Sequence, residues 1–166
     1  MKRKVLISGA SIAGPVTAFW LARHGFEVVV VERAESLRLG GQNIDISDAA
    51  RDVITSMGLE ERVRERHTGE KGLQFVDSND RPCGSYPAGK NGSWTREIEI
   101  LRGDLAEILV DATRDTAEYR FGDSIESVIS LEDSTQVRFA SGAEEEFDCL
   151  IAADGMNSTT RKVVLG

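Results

Sequence analysis

The sequence predicts an α/β fold that opens with a βαβ unit, continues through inserted β-hairpins and includes a mixed sheet. Three observations carry this expectation. Val5-Leu6-Ile7 and Glu27-Val28-Val29-Val30-Val31-Glu32 are short apolar runs of the kind buried parallel strands need, with a helical stretch between them. From Gly72 the pattern turns to short β segments separated by turns. A last apolar run, Phe147–Ala153, leads straight into Asp154-Gly155.

The elements follow in order. After the first strand, residues 8–14 are small, and Val16, Phe19, Trp20 and Ala22 fall on one helical face. His24-Gly25 ends that helix, where glycine supplies a left-handed cap. Strand, tight turn, helix and strand within about thirty residues define a βαβ unit with its right-handed crossover. A loop from Leu37 to Asp45 has Gly40-Gly41 at its centre. Ser47 or Asp48 caps a helix over Ala49–Met57, Gly58 closes it, and Leu59–Arg66 reads as another short helix. Leu73-Gln74-Phe75-Val76 reads as a strand, followed by a turn at Asp77–Pro82, a glycine-rich loop and a strand at Glu97-Ile98-Glu99-Ile100. Asp104 caps a helix carrying Leu105, Ile108, Leu109 and Ala112. Strands follow at Glu118–Phe121, Ser124–Ser130 and Gln136–Ala140, with Ser141-Gly142 as a turn. Glu144-Glu145-Glu146 is expected on a solvated strand edge. No internal repeat or linker interrupts the chain, so residues 1–166 read as one domain.

The 166 residues are 40% apolar and 29% charged, a globular composition. A net charge of −8 argues against nucleic-acid or anionic-membrane partners. The charge is uneven: residues 1–66 carry a net +1 and the remainder −9, so a bound anion belongs in the first third. Cys83 and Cys149 form no CxxC or CxxH pair, which offers no metal site and fits a reducing cytoplasm. Lys2-Arg3-Lys4 before the uncharged residues 5–22 imitates a signal peptide or short membrane span. The stretch holds Gly9, Gly14, Pro15 and several hydroxyls, however, and runs on into another strand, so the βαβ periodicity accounts for it better.

Residues 9–14, Gly-Ala-Ser-Ile-Ala-Gly, match the dinucleotide fingerprint G-x-G-x-x-G except that Ser11 replaces the middle glycine. Gly9 permits the tight turn, and Gly14 lets the helix approach the sheet. The Ser11 hydroxyl can donate to a phosphate oxygen. Ser11, Ile12 and Ala13 stand at the helix start, where free N–H groups and partial positive charge favour a phosphate. Pro15 lacks an N–H that would be unsatisfied in the first turn anyway. Glu32 ends the second strand 23 residues after Gly9, where an acid accepts from the adenosine ribose and repels a 2′-phosphate. The pattern therefore favours FAD or NAD over NADP at this turn. The alternative is an ordinary strand–turn–helix with Glu32 solvated.

Two weaker patterns compete. Residues 84–91 nearly match a P-loop, but Asn91 stands in place of the metal-binding hydroxyl, Pro87 sits inside and no buried strand precedes. Residues 9–13 faintly suggest a nucleophile elbow, yet His24 lies at the far end of the helix and the second glycine is absent. Asn91-Gly92-Ser93 and Asn157-Ser158-Thr159 are glycosylation sequons without meaning in a cytoplasmic chain.

Taken together, these residues resemble the FAD-binding part of the group A flavoprotein monooxygenases, the p-hydroxybenzoate-hydroxylase-like family. Gly9–Gly14 with Glu32-Arg33 resembles the family's first, Rossmann-like motif. Ile100-Leu101-Arg102-Gly103-Asp104-Leu105 resembles its R-x-x-L helix start, whose arginine contacts the flavin nucleotide. The segment from Asp148 to Arg161 resembles its DG motif, with Asp154-Gly155 followed by Ser158 and Arg161. Residues 40–45 resemble the loop that approaches the isoalloxazine, and Ile125 stands where the family has an apolar residue beside the adenine. The resemblance implies FAD as cofactor, NADH or NADPH as co-substrate, and oxygen transfer to an aromatic or conjugated small molecule. The implied cofactor contacts are Gly9, Ser11, Ile12, Ala13, Gly14, Glu32, Arg33, Arg102, Ile125, Asp154 and Gly155. No catalytic side chain is implied, because the flavin carries the chemistry.

The family's third motif, a Gly-Asp turn for the ribityl chain, has no counterpart in Gly103-Asp104 or Gly122-Asp123. Neither that turn nor the substrate domain is expected within the 166 residues. The isolated chain is accordingly expected to be inactive and to self-associate through an exposed apolar edge. The rival readings are a nucleotide-binding module without turnover and a flavin-dependent halogenase or reductase of the same fold.

Overall fold

A computed structural model of the chain describes residues 2–69, 71–87 and 98–166. In chain order the elements begin with β1 (Lys4–Ser8), α1 (Ala13–Arg23), β2 (Glu27–Glu32), β3 (Asn43–Asp45), α2 (Asp48–Ser56) and α3 (Glu60–Glu65). They continue with β4 (Gly72–Val76), β5 (Pro82–Pro87), β6 (Glu99–Leu101) and α4 (Arg102–Asp111). The chain finishes with β7 (Glu118–Phe121), β8 (Ile125–Ser130), β9 (Thr135–Phe139), β10 (Glu144–Phe147), β11 (Cys149–Ala152) and α5 (Thr159–Leu165). The residues group into two compact units, one of Met1–Leu39 with Leu109–Gly166 and one of Gly40–Ile108.

The first unit is built on a four-stranded parallel sheet of order β11-β1-β2-β7. The mixed character expected from sequence comes from separate antiparallel sheets, one of which, β10-β9-β8, belongs to this unit. Period-two alternation divides the central strands between two cores. Val5 and Ile7 with Val28 and Val30 pack towards Ala18, Leu21 and Ala22 of α1. Leu6 with Val29 and Val31 packs towards Ile125, Val137, Phe139 and Phe147 of the antiparallel sheet. β1 and β2 are therefore covered on both faces, which is why they read as continuous apolar runs.

Three expectations need correction in this unit. The buried residues of α1 are Gly14, Pro15 and Ala18, not the larger side chains of the face read from sequence. Close approach to the sheet selects small residues there, while Phe19 and Trp20 pack edge-on against each other beneath Arg23. Phe147 belongs to β10 rather than to the last parallel strand. The break falls at Asp148, whose N–H donates to the Lys4 carbonyl at 2.8 Å and whose carboxylate accepts from the Lys4 N–H. The edge acid Glu145 is not simply solvated: it is half-buried and pairs with Lys4 and with Arg120, the latter at 2.6 Å. Burial works against its charge, but the two cations outweigh that and hold its pKa below the ordinary carboxylate value.

In the second unit β3 pairs antiparallel with β6, where the sequence predicts a loop over 37–45. β4 and β5 form a hairpin, so Pro82–Pro87 is strand where a loop was expected. Its turn is held by the Asp77 carboxylate, which accepts from the N–H groups of Asn79 and Arg81 at 2.8 and 3.0 Å. Glu60 ties α2 to α3 by accepting from Thr55, Arg64 and Arg51, and these bonds lower its pKa to about 2. Ile54, Val63, Ile98 and Ile100 are buried here. α4 starts at Arg102, two residues before the expected Asp104 cap, because backbone carbonyls from a neighbouring loop satisfy its first N–H groups. Glu97, the Asn91 sequon and the P-loop-like segment from residue 88 onward lie outside the described residues.

Leu6 has no exposed surface and stands between β2 and β11. Leu6→Ala is expected to cost about 2–5 kcal/mol of unfolding free energy. Urea denaturation checks this, with a lowered midpoint at an unchanged slope.

Candidate functional site

The carboxyl ends of β1, β2 and β11 bring three of the sequence-derived segments together in the first unit. β1 ends at Ser8, and the Gly9 N–H donates to the Val31 carbonyl at 2.8 Å, tying the turn to β2. Gly9 has φ +107°, and a Cβ there would lie 2.7 Å from the Ala153 carbonyl oxygen. A Cβ on Gly14 would lie 1.8 Å from the Gly9 carbonyl oxygen. Both positions exclude any larger residue, the first by conformation and contact, the second by contact alone.

The helix that follows is uncapped. Its N-cap is Ile12, which offers no side-chain acceptor. The first-turn N–H groups of a helix have no partner within it. Among the described residues, the N–H groups of Ser11, Ile12, Ala13 and Gly14 donate to nothing. Ser11 is half-buried and its hydroxyl is unpaired among those residues. This arrangement is a receptor for an anion.

Glu32 is half-buried beside this turn. One carboxylate oxygen accepts from the Ala10 N–H and the other from the Ala34 N–H, each at 3.0 Å. The sequence reading gave Glu32 only a ligand or a solvated role, and the brace on the turn was missed. Each carboxylate oxygen has two acceptor directions, so both retain one for a ribose hydroxyl. The Arg33 side chain is exposed and unpaired among the described residues.

Asp154 and Gly155 follow β11, Gly155 with φ +85°. The Asp154 carboxylate accepts from the Ser158 hydroxyl, the Thr160 N–H at 3.1 Å and, more distantly, the Thr159 hydroxyl. The Ser158 oxygen in turn accepts from the Arg161 N–H at 2.8 Å and caps α5. The Arg161 guanidinium donates to the Met156 carbonyl at 2.7 Å. The Asp-Gly, Ser and Arg spacing noted in the sequence is thus the hydrogen-bond plan of one turn and one helix start. Burial disfavours the Asp154 anion, but its hydroxyl and N–H donors outweigh this and lower its pKa from 3.8. Thr160 also donates from its hydroxyl to the Ser8 oxygen at 2.7 Å, a pair that sequence reasoning missed. The only sequence signal for it is a polar residue closing an otherwise apolar strand.

Ile125 is 6% exposed and lies in the core with Leu6, Val29 and Phe139. Its side chain packs the fold. Arg102 belongs to the second unit, at the start of α4. Its N–H donates to the Gln42 carbonyl at 3.1 Å, and the Gly103 N–H donates to the Gly40 carbonyl at 2.9 Å. Two segments singled out separately, residues 40–45 and 100–105, are therefore joined, through β3–β6 and through these bonds. The Arg102 guanidinium is exposed and has no partner among the described residues. Glu99, three residues before it, accepts from the Thr68 hydroxyl.

A parallel sheet with a glycine-rich turn, an uncapped helix start and an acid ending the next strand defines a dinucleotide-binding protein. The chain belongs to the FAD binding domain family, which it matches over residues 2–165. It is 45% identical to Monooxygenase CTB7 of Cercospora beticola over 97% of this chain and 40% of that protein. It is 40% identical to FAD-dependent monooxygenase asL4 of Sarocladium schorii, over 98% of this chain and 39% of that one. The crystal structure of tetracycline destructase Tet(55) superposes with a TM-score of 0.88 at 34% identity, covering 99% of this chain and 41% of the other. The chain thus corresponds to the FAD-binding portion of flavin-dependent monooxygenases and spans about two fifths of the length of these relatives. No described helix is long and apolar enough to cross a membrane.

Two outcomes are expected from this geometry. Glu32→Ala should cost about 1–3 kcal/mol of stability even without nucleotide, because the buried Ala10 N–H loses its acceptor; urea midpoints of the apo protein check it. For Asp154 the folded pKa lies below 3.8, so its stabilisation is complete above the ordinary value and is lost as pH falls through the folded one. The destabilisation caused by Asp154→Asn, read from urea midpoints across acid pH, should therefore shrink as pH drops below 3.8.

Proposed function

We propose that this chain holds the FAD of an NAD(P)H-dependent monooxygenase that hydroxylates an aromatic or conjugated small molecule. The observation that carries the reading is the row of unpartnered N–H groups from Ser11 to Gly14 beside the braced Glu32. These residues fit an adenine dinucleotide. The N–H row and the Ser11 hydroxyl take the pyrophosphate oxygens, and the remaining acceptor directions of Glu32 take the ribose hydroxyls. A carboxylate at that place disfavours a 2′-phosphate, so FAD is held in preference to NADP. Within the first unit Arg33 supplies a cation for the nucleotide, and the Asp154-Gly155 turn supplies backbone.

The chemistry that bound FAD supplies is acceptance of a hydride from NADH or NADPH and activation of O₂. The chain's own contribution is binding and orientation, and no side chain among the described residues is assigned a proton transfer. Two relatives are monooxygenases by name, one of them FAD-dependent, and a third is a tetracycline destructase, which supports an organic small-molecule substrate.

Purified protein dialysed against FAD should show a flavin spectrum and a Kd on the order of micromolar, with NADP⁺ competing poorly. Oxidation of NADH or NADPH that an aromatic small molecule stimulates, in the chain with whatever residues its reading frame adds, is the expected activity. Equal affinity for NADP⁺ and FAD would remove Glu32 from the ribose site, and absence of flavin uptake would overturn the reading.

A further inference from the structure

The turn after β11 and the glycine-rich turn after β1 are fastened to each other in three ways. The Ala153 N–H donates to the Ser8 carbonyl at 2.8 Å. The backbone of Ala153 and Asp154 occupies the space that a Gly9 side chain would need. The third link joins side chains alone: the Thr160 hydroxyl donates to the Ser8 hydroxyl oxygen, with Ser8 7% and Thr160 1% exposed. Thr160 is also held by its own N–H on the Asp154 carboxylate. One residue thus connects the end of β1 to the carboxylate that organises the second turn.

We propose that Thr160 is a positioning residue for the dinucleotide: its buried hydroxyl bond to Ser8 fixes the spacing between the Ala153–Gly155 turn and the glycine-rich turn. The inference rests on the FAD reading above and deepens it. Thr160 does not reach the ligand. It acts through Ser8 on the residue immediately before Gly9, and through Asp154 on the turn that follows β11. Ligands of parallel sheets lie outside the carboxyl ends of the strands, and this link joins two adjacent ends, those of β1 and β11. A buried hydroxyl pair is an uneconomical way to fill a core, since leucine or valine would pack there without needing a partner. Its directional geometry is what an apolar pair lacks, and that geometry sets the separation of the two turns.

Three variants separate positioning from plain stability. Thr160→Val leaves the Ser8 hydroxyl buried without its donor and is expected to weaken FAD binding about tenfold while lowering the urea midpoint. Thr160→Ser keeps the donor and should restore both. The double variant Ser8→Ala with Thr160→Val removes both hydroxyls, so stability should recover, yet FAD affinity should stay about tenfold low. Amide exchange at Gly9 and Ala153 should be faster in both valine variants than in the parent. An affinity in the double variant equal to the parent's overturns the proposal, as does unchanged exchange at those two amides. If the parent protein takes up no FAD, the functional reading fails and the ligand side of the proposal with it. The exchange measurement then still decides whether the two turns are coupled.

Discussion

The carbonyl oxygen of Gly9 lies where a side chain on Gly14 would have to begin, and the backbone of Ala153 and Asp154 lies where one on Gly9 would begin. The glycine-rich turn, the start of α1 and, from the far end of the sequence, the turn after β11 meet there with nothing between them. This contact fixes how closely α1 can lie on the sheet and therefore which residues α1 buries. It also fixes where β11 turns away, and so where Asp154 and α5 begin. A single methyl group at either glycine would separate these stretches, and the helix start would no longer face the end of β2.

Such close approach is sustainable only because the two central strands beneath are covered on both faces. β1 and β2 send alternate side chains to α1 and to the antiparallel sheet, so neither face can relax into solvent. Ala10, and Ala18 of α1, lie on the helix side, where Phe26, Tyr119 and Phe121 are only partly buried, and the buried rings Phe139 and Phe147 lie on the other. A helix drawn close by the glycine contact leaves little volume directly beneath it, whereas a second sheet packs at about 10 Å and needs bulky residues to fill the gap.

Much of this was legible in the sequence because it depends on local rules. The apolar runs of β1 and β2, the glycine spacing and the cap at Gly25 each follow from a few neighbouring residues, and the strands and turn lie where those rules put them. The DG segment was legible as a resemblance, and its spacing has a local cause in the capping of α5. What could not be read depends on partners far away in the chain. Nothing near Asn43 shows that it will pair with Leu101, and nothing near Glu145 shows that Lys4 and Arg120 will reach it. The burial of Ile125 beneath the sheet and the Ser8–Thr160 bond are of the same kind. The start of α4 was misplaced for the related reason that its first N–H groups are satisfied by residues 40 and 42 rather than by a cap in its own sequence.

The acids at the carboxyl end of the sheet pose an apparent contradiction, since a chain of net charge −8 is read as holding a pyrophosphate. The structure resolves it by what those acids do. Glu32 accepts from Ala10 and Ala34, and Asp154 accepts from Ser158 and Thr160, so each carboxylate is matched to donors of the scaffold. Their negative charge is in each case delocalised into a turn that it stiffens. The donors left unmatched in the same region are the N–H groups from Ser11 to Gly14, reinforced by the positive end of α1. Anion recognition by this turn is therefore a property of the main chain, and the acidic side chains serve it by holding that main chain in place. On the function proposed above, a carboxylate that braces the turn keeps acceptor directions for a neutral ribose hydroxyl while repelling a further phosphate. On the same proposal, attraction for the pyrophosphate and discrimination against a 2′-phosphate come from adjacent but different groups.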